Sequence, residues 1–158
     1  MLISHRKKFI FTKTVKTAGT SVEVLFEPYC MADGEWQPTH SRDMYVSETG
    51  IIGMRAARPE ALWYNHMPAQ AIRWKLDPEI WDSYLKFTTI RNPFDKMISG
   101  YFMFSGRKKT IEGTDRVGDF RAWLSKFAEN YKVHKTAVQD SNISVSYTHL
   151  TLPTTPYV

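Results

Sequence analysis

A chain of 158 residues, 42% hydrophobic and 14% aromatic, is long enough to bury one core and too apolar to stay disordered. Its formal charge of +5 suits an anionic ligand without demanding nucleic acid, since Arg6-Lys7-Lys8 and Arg107-Lys108-Lys109 are short solvated runs rather than a polybasic tail. The single cysteine, Cys30, excludes an intrachain disulfide and is compatible with a reducing compartment.

Residues 1–8 hold no long apolar segment before the charges begin, so neither a signal peptide nor a membrane anchor is predicted. The first element is a buried strand at Phe9-Ile10-Phe11, after which Val22, Val24, Leu25 and Phe26 recur at helical spacing. Between them Lys16-Thr17-Ala18-Gly19-Thr20-Ser21 is a small, polar, cationic loop. Gly19 permits close backbone approach to a ligand, and the N–H groups of a helix start attract an anion. Thr17, Thr20 and Ser21 add hydroxyl donors, and Lys16 adds a mobile charge. The lysine precedes the glycine and no glycine lies upstream, so this is not the Gly-x-x-x-x-Gly-Lys-Ser/Thr loop of nucleoside-triphosphate proteins. Thr20 and Ser21 also suit a plain helix cap.

From Pro28 to Tyr64 periodicity is poor and turn formers are frequent, with breaks at Asp33-Gly34, Thr49-Gly50 and Arg58-Pro59. This predicts a long excursion with short elements, of the kind that is functional or mobile. Cys30 has no obvious base nearby in sequence and reads as a small apolar filler rather than a catalytic thiol. His66 follows in Tyr64-Asn65-His66-Met67-Pro68, just before a helix through Ala71, Ile72 and Trp74. A neutral imidazole there suits proton removal near neutral pH, with a capping or structural role as the alternative. Glu23, Glu27, His40 and His5 are weaker candidates for the same base. No Cys/His cluster has metal-ligand spacing, and no metal is predicted.

A short helix through Ile80, Trp81 and Tyr84 leads into a second strand at Phe87-Thr88-Thr89-Ile90. Pro93 suits the first turn of the next helix, whose stripe is Met97, Ile98, Tyr101 and Phe102. Arg91 therefore falls at a strand's carboxyl end, where parallel α/β sheets bind ligands, and Ser99 lies on the helix behind it. Ser105-Gly106 ends that helix, a polar loop follows, and Phe120, Trp123, Leu124 and Phe127 mark a last amphipathic helix with Asp119 near its start.

Two motifs now stand together: Lys16-Thr17-Ala18-Gly19-Thr20-Ser21 after an N-terminal strand, and Arg91-Asn92-Pro93-Phe94-Asp95-Lys96-Met97-Ile98-Ser99 after a later one. The pair closely resembles the sulfotransferases that use 3′-phosphoadenosine 5′-phosphosulfate (PAPS), most of all their carbohydrate-type, bacterial-like branch, across residues 8–130. The resemblance implies an α/β fold with a mainly parallel sheet, flanking helices and a P-loop-like nucleotide-binding loop. It implies that Lys16, Thr17, Ala18, Gly19, Thr20 and Ser21 hold the 5′-phosphosulfate, while Arg91 and Ser99 hold the 3′-phosphate. Many members have proline before the loop lysine; Val15 here removes rigidity but no ligand group. Related carbohydrate enzymes place a histidine before the helix equivalent to the one after His66, which makes Lys16 and His66 the expected catalytic pair.

The implied partners are PAPS as donor and a hydroxyl or amine acceptor, expected to be a carbohydrate, with Trp36, His40, Trp63 and Tyr64 either stacking on a sugar ring or filling the core. No nucleic-acid partner and no membrane anchor are expected. Golgi members carry an anchor, and its absence here favours a cytoplasmic, bacterial-type protein. The expected organisation is one domain over residues 1–144, C-terminally incomplete, with a non-native tail at 145–158. The tail expectation rests on Val145 to Thr154, which resembles the translation of a transposase adapter used for sequencing libraries; a strand at Tyr147 to Leu152 is the alternative reading. Two rival functions remain: a kinase-like phosphate binder, and a catalytically silent module for anionic glycans.

Overall fold

Leu2-Ile3-Ser4 and Phe9-Ile10-Phe11-Thr12 are buried throughout, and half-buried His5 and exposed Arg6, Lys7 and Lys8 turn between them, with Lys8 at φ 53°, so the chain opens with a β-hairpin. In the computed structural model, which describes residues 1–55, 61–104 and 115–133 with side chains through 130, these strands are β1 (Leu2–Ser4) and β2 (Phe9–Thr12). Then follow α1 (Gly19–Phe26), β3 (Tyr45–Val46), β4 (Gly50–Ile52), α2 (Ala69–Lys75), α3 (Pro78–Ser83), β5 (Leu85–Thr88), α4 (Pro93–Phe104) and α5 (Arg116–Val133). The expected loop over 105–114 and the adapter-like tail lie outside the described residues.

The sheet runs in the order β3-β4-β1-β2-β5. Among the described strands only β2 and β5 pair in parallel; β1–β2, β1–β4 and β3–β4 are antiparallel, which corrects the expectation of a mainly parallel sheet. The cause is local. Residues 5–8 are too few for a crossover and force the first two strands antiparallel, and the excursion supplies β3 and β4 as a second hairpin rather than as irregular chain. The parallel pair survives because the long path from α1 to α3 returns the chain to the same end of the sheet.

Alternation along the central strands feeds two cores. Ile3, Ile10 and Ile51 point to one side and meet Trp63, Met67 and Ile72, while Leu2, Phe9, Phe11 and Ile52 point to the other and meet Cys30 and Met31. Each such side chain contributes about 1.5–3 kcal/mol. Phe87 of β5 closes the second core, with ring centroids 5.1 Å from Phe11 and 5.4 Å from Phe26. Cys30 is fully buried there and burial pushes its thiol up to about 12, which suits a filler and not a nucleophile. α4 meets α5 through Tyr101, edge-on to Phe120 at 5.4 Å and Trp123 at 5.7 Å, so Ile98 and Phe102 of the expected stripe are left exposed. Among the described residues no helix is long and apolar enough to cross a membrane.

Candidate functional site

The parallel register sets Thr12 opposite Thr88, so the loops that leave β2 and β5 emerge side by side. Hydroxyls then stitch them together. Thr88 Oγ1 donates to the Thr12 carbonyl at 2.6 Å, Thr14 Oγ1 donates to the Thr89 carbonyl at 2.9 Å, and Thr17 and Thr89 hydroxyls share a bond of 3.0 Å. Thr17 is buried, and its hydroxyl also meets Thr14 Oγ1 at 2.8 Å. Its position is that of a latch between the two motifs.

The loop backbone turns through two left-handed residues, Lys16 at φ 61° and Ala18 at φ 59°. Such conformations are strained for residues with a Cβ and cluster at ligand sites. Ala18 is the N-cap of α1 and no side chain caps the helix, which corrects the reading of Thr20 or Ser21 as a simple cap. The helix start is therefore available to an anion through its N–H groups and dipole. Thr20 Oγ1 accepts from Lys13 Nζ at 3.0 Å, and Ser21 is exposed. Gly19 is required by packing: a Cβ there would lie 2.6 Å from Lys13 Cγ.

A cavity of about 610 Å³ opens over this loop. Lys16, Ala18, Gly19, Thr20 and Ser21 line one side, and His40, Ser41, Asn65 and His66 line another. Lys16 Nζ reaches Met103 Sδ on α4 at 3.2 Å. Five expected loop residues and His66 are thus brought to one cavity. Thr17, Arg91 and Ser99 do not line it; Arg91 is exposed in the loop before α4, and Ser99 is half-buried on that helix. Of the four aromatics assigned to sugar stacking or core, Trp63 lies in the first core, Trp36 packs against the second and donates to Glu27, His40 reaches the cavity wall, and Tyr64 is exposed.

His66 stands at φ 59°, and its Nδ1 lies 3.3 Å from the Lys13 carbonyl. A carbonyl only accepts, so Nδ1 carries the proton and Nε2 carries the lone pair. Burial, reinforced by the positive charge of Lys13, pushes the imidazole down to about 4 and keeps it neutral in physiological buffer. Beside it, among the described residues, Asn65 Oδ1 is a buried oxygen with no hydrogen-bond partner.

Beneath the cavity lies a charge network that the sequence reading missed. Lys13 Nζ pairs with Glu23 Oε2 at 2.6 Å, and Arg55 Nε meets the same oxygen at 3.2 Å. The Met1 amino group donates to Glu23 Oε1 at 2.8 Å. Glu27 is paired with Arg55 and with Arg42, the latter at 3.0 Å. Burial alone would raise the Glu23 carboxyl, but the Met1 amino group and Lys13 hold it below its usual range. Both glutamates are thereby paired with cations. A signal was present in the sequence: Glu23 and Glu27 are spaced to share one helical face, downstream of a lysine at a strand end.

The chain matches the family model described as "Sulfotransferase family" over residues 1–150. No curated protein and no solved structure matches it.

Proposed function

The chain belongs to the sulfotransferase family, and from that premise we propose that it transfers a sulfonate group from PAPS to a hydroxyl, or an amine, of a carbohydrate acceptor. The observation that carries this reading is the uncapped start of α1, reached through left-handed Lys16 and Ala18, opening on the same cavity as a neutral histidine. The 5′-phosphosulfate is assigned to the loop from Lys16 to Ser21, and the 3′-phosphate to Arg91, in the loop after the neighbouring parallel strand, and Ser99, on α4. With one buried cysteine and no disulfide to maintain, the reaction is assigned to the cytoplasm.

The transfer is in-line. His66 Nε2 takes the proton from the acceptor oxygen, that oxygen forms a bond to sulfur, and the bond from sulfur to the bridging oxygen of the 5′-phosphate breaks. Negative charge grows on the departing phosphate oxygen, where Lys16 and the N–H groups at the helix start stabilise it by fixed electrostatics rather than covalent catalysis. Asn65 Oδ1 offers an acceptor for a second hydroxyl or amine proton of the incoming sugar. The test is incubation with PAPS labelled in its sulfonate group and a panel of hydroxylated glycans. Label should move to glycan with release of adenosine 3′,5′-bisphosphate, and retention of all label on the nucleotide would contradict the proposal.

A further inference from the structure

We propose that Lys13 is a positioning residue for this transfer, holding the donor loop, the base and the acceptor wall in one register; the inference rests on the sulfonate-transfer reading. Lys13 acts through three parts. Its carbonyl accepts from His66 Nδ1 at 3.3 Å, which selects the tautomer with Nε2 as proton acceptor. Its stem packs so closely under Gly19 that no Cβ fits between them. Its ammonium binds Thr20 Oγ1 at 3.0 Å and Glu23 Oε2 at 2.6 Å, fixing the first two turns of α1.

The link continues to the opposite wall. Arg55 meets Glu23 at 3.2 Å and donates to the Thr39 carbonyl at 2.6 Å, next to His40 and Ser41 at the cavity. Side-chain exposure is 4% for Lys13, 1% for Glu23 and 5% for Arg55, so these charges are almost wholly desolvated. Buried ion pairs are weak devices for stability, because desolvation offsets their attraction, but they hold directional geometry. Although Lys13 lines the cavity, its ammonium is committed to Glu23 and Thr20. It therefore works through the loop and His66, whereas Lys16 is the lysine assigned to the ligand.

The experiment compares the parent chain with the double variant Lys13→Met/Glu23→Gln, which removes one charge of each sign, shortens the lysine stem by its terminal atom and keeps the shape of the glutamate. Melting temperature, calorimetric affinity for adenosine 3′,5′-bisphosphate, turnover, and the nitrogen chemical shifts of His66 in the ligand-free parent are measured. The expected result is a parent His66 protonated at Nδ1, and a folded variant whose turnover and bisphosphate affinity each fall by about tenfold or more, the loss expected for a displaced charge-assisted contact. A folded variant with unchanged turnover and affinity overturns the inference alone, as does a parent His66 protonated at Nε2. Failure of the parent to bind the bisphosphate overturns the donor reading and this inference together. Should the double variant not fold, the His66 tautomer decides: protonation at Nδ1 supports the inference and protonation at Nε2 overturns it.

Discussion

Thr17 and Thr89, on loops that follow two different strands, share a hydroxyl hydrogen bond of 3.0 Å. That contact ties the loop assigned to the 5′ end of the donor to the loop assigned to its 3′ end. Thr89→Val removes the hydroxyl and keeps the branched shape. Because Thr17 Oγ1 retains Thr14 as partner, stability should fall by only about 1 kcal/mol in urea unfolding. Donor affinity should fall more than that loss suggests, and equal affinity in titrations of parent and variant would show that the latch does not set the site.

Lys16 is half-buried, and its ammonium contacts Met103 rather than a carboxylate. Its truncation therefore leaves no buried acid unpaired. Lys16→Ala should reduce turnover by about 10²–10³, the usual loss for one group stabilising developing charge, with little change in melting temperature. Parallel losses of melting temperature and activity would make Lys16 a structural residue.

Gly19→Ala places a Cβ 2.6 Å from Lys13 Cγ, and Lys13 cannot swing away without leaving Glu23. Overpacking of this kind costs about 1–3 kcal/mol, more than alanine gains in helix propensity. A variant as stable as the parent in chemical denaturation would show that the lysine stem moves freely.

His66 is displaced from an ordinary 6.5 to about 4 in the folded chain. Between those values the unfolded state binds the extra proton and the folded state does not, so this residue makes stability fall as pH drops from 6.5 toward 4. His66→Asn should flatten that part of the stability profile. The acid limb of kcat/KM, which reports the free enzyme, should fall near pH 4 rather than near 6.5. His66→Ala should lower turnover by about 10²–10⁴ while bisphosphate binding persists, and a parent acid limb near the ordinary histidine value would remove His66 from the role of base.

Both strand-loop-helix units were legible in the sequence because each joins an apolar run to a turn-forming stretch and then to helical spacing, and α4 starts at Pro93 where proline is favoured. Strand direction was not legible. Nothing in the residues from His5 to Lys8 signals a hairpin as plainly as an Asn-Gly pair would, and β3 and β4 are too short to show periodicity. Along α1 apolar character does not coincide with burial: Val22 and Phe26 pack against the core, but Leu25 is 67% exposed while Glu23 is 0% exposed. Apolar spacing marks the buried face only where no cations wait in the core, and Lys13 and Arg55 reach Glu23 through tertiary contacts at which the spacing of Glu23 and Glu27 only hints. Lys16 and His66, which line one cavity, stand at loop and junction positions that a sequence makes legible, whereas Lys13 was hidden at a strand end.

The most direct test is calorimetric titration of the chain with adenosine 3′,5′-bisphosphate, with the analogue lacking the 3′-phosphate, and with ATP plus magnesium. The bisphosphate should bind more tightly than either alternative. Arg91→Lys, which keeps the charge but loses the planar two-pronged contact, should narrow its advantage over the analogue. Tighter binding of ATP with magnesium, or equal affinity for the bisphosphate and its analogue, would contradict the assignment of this site to a PAPS-type donor.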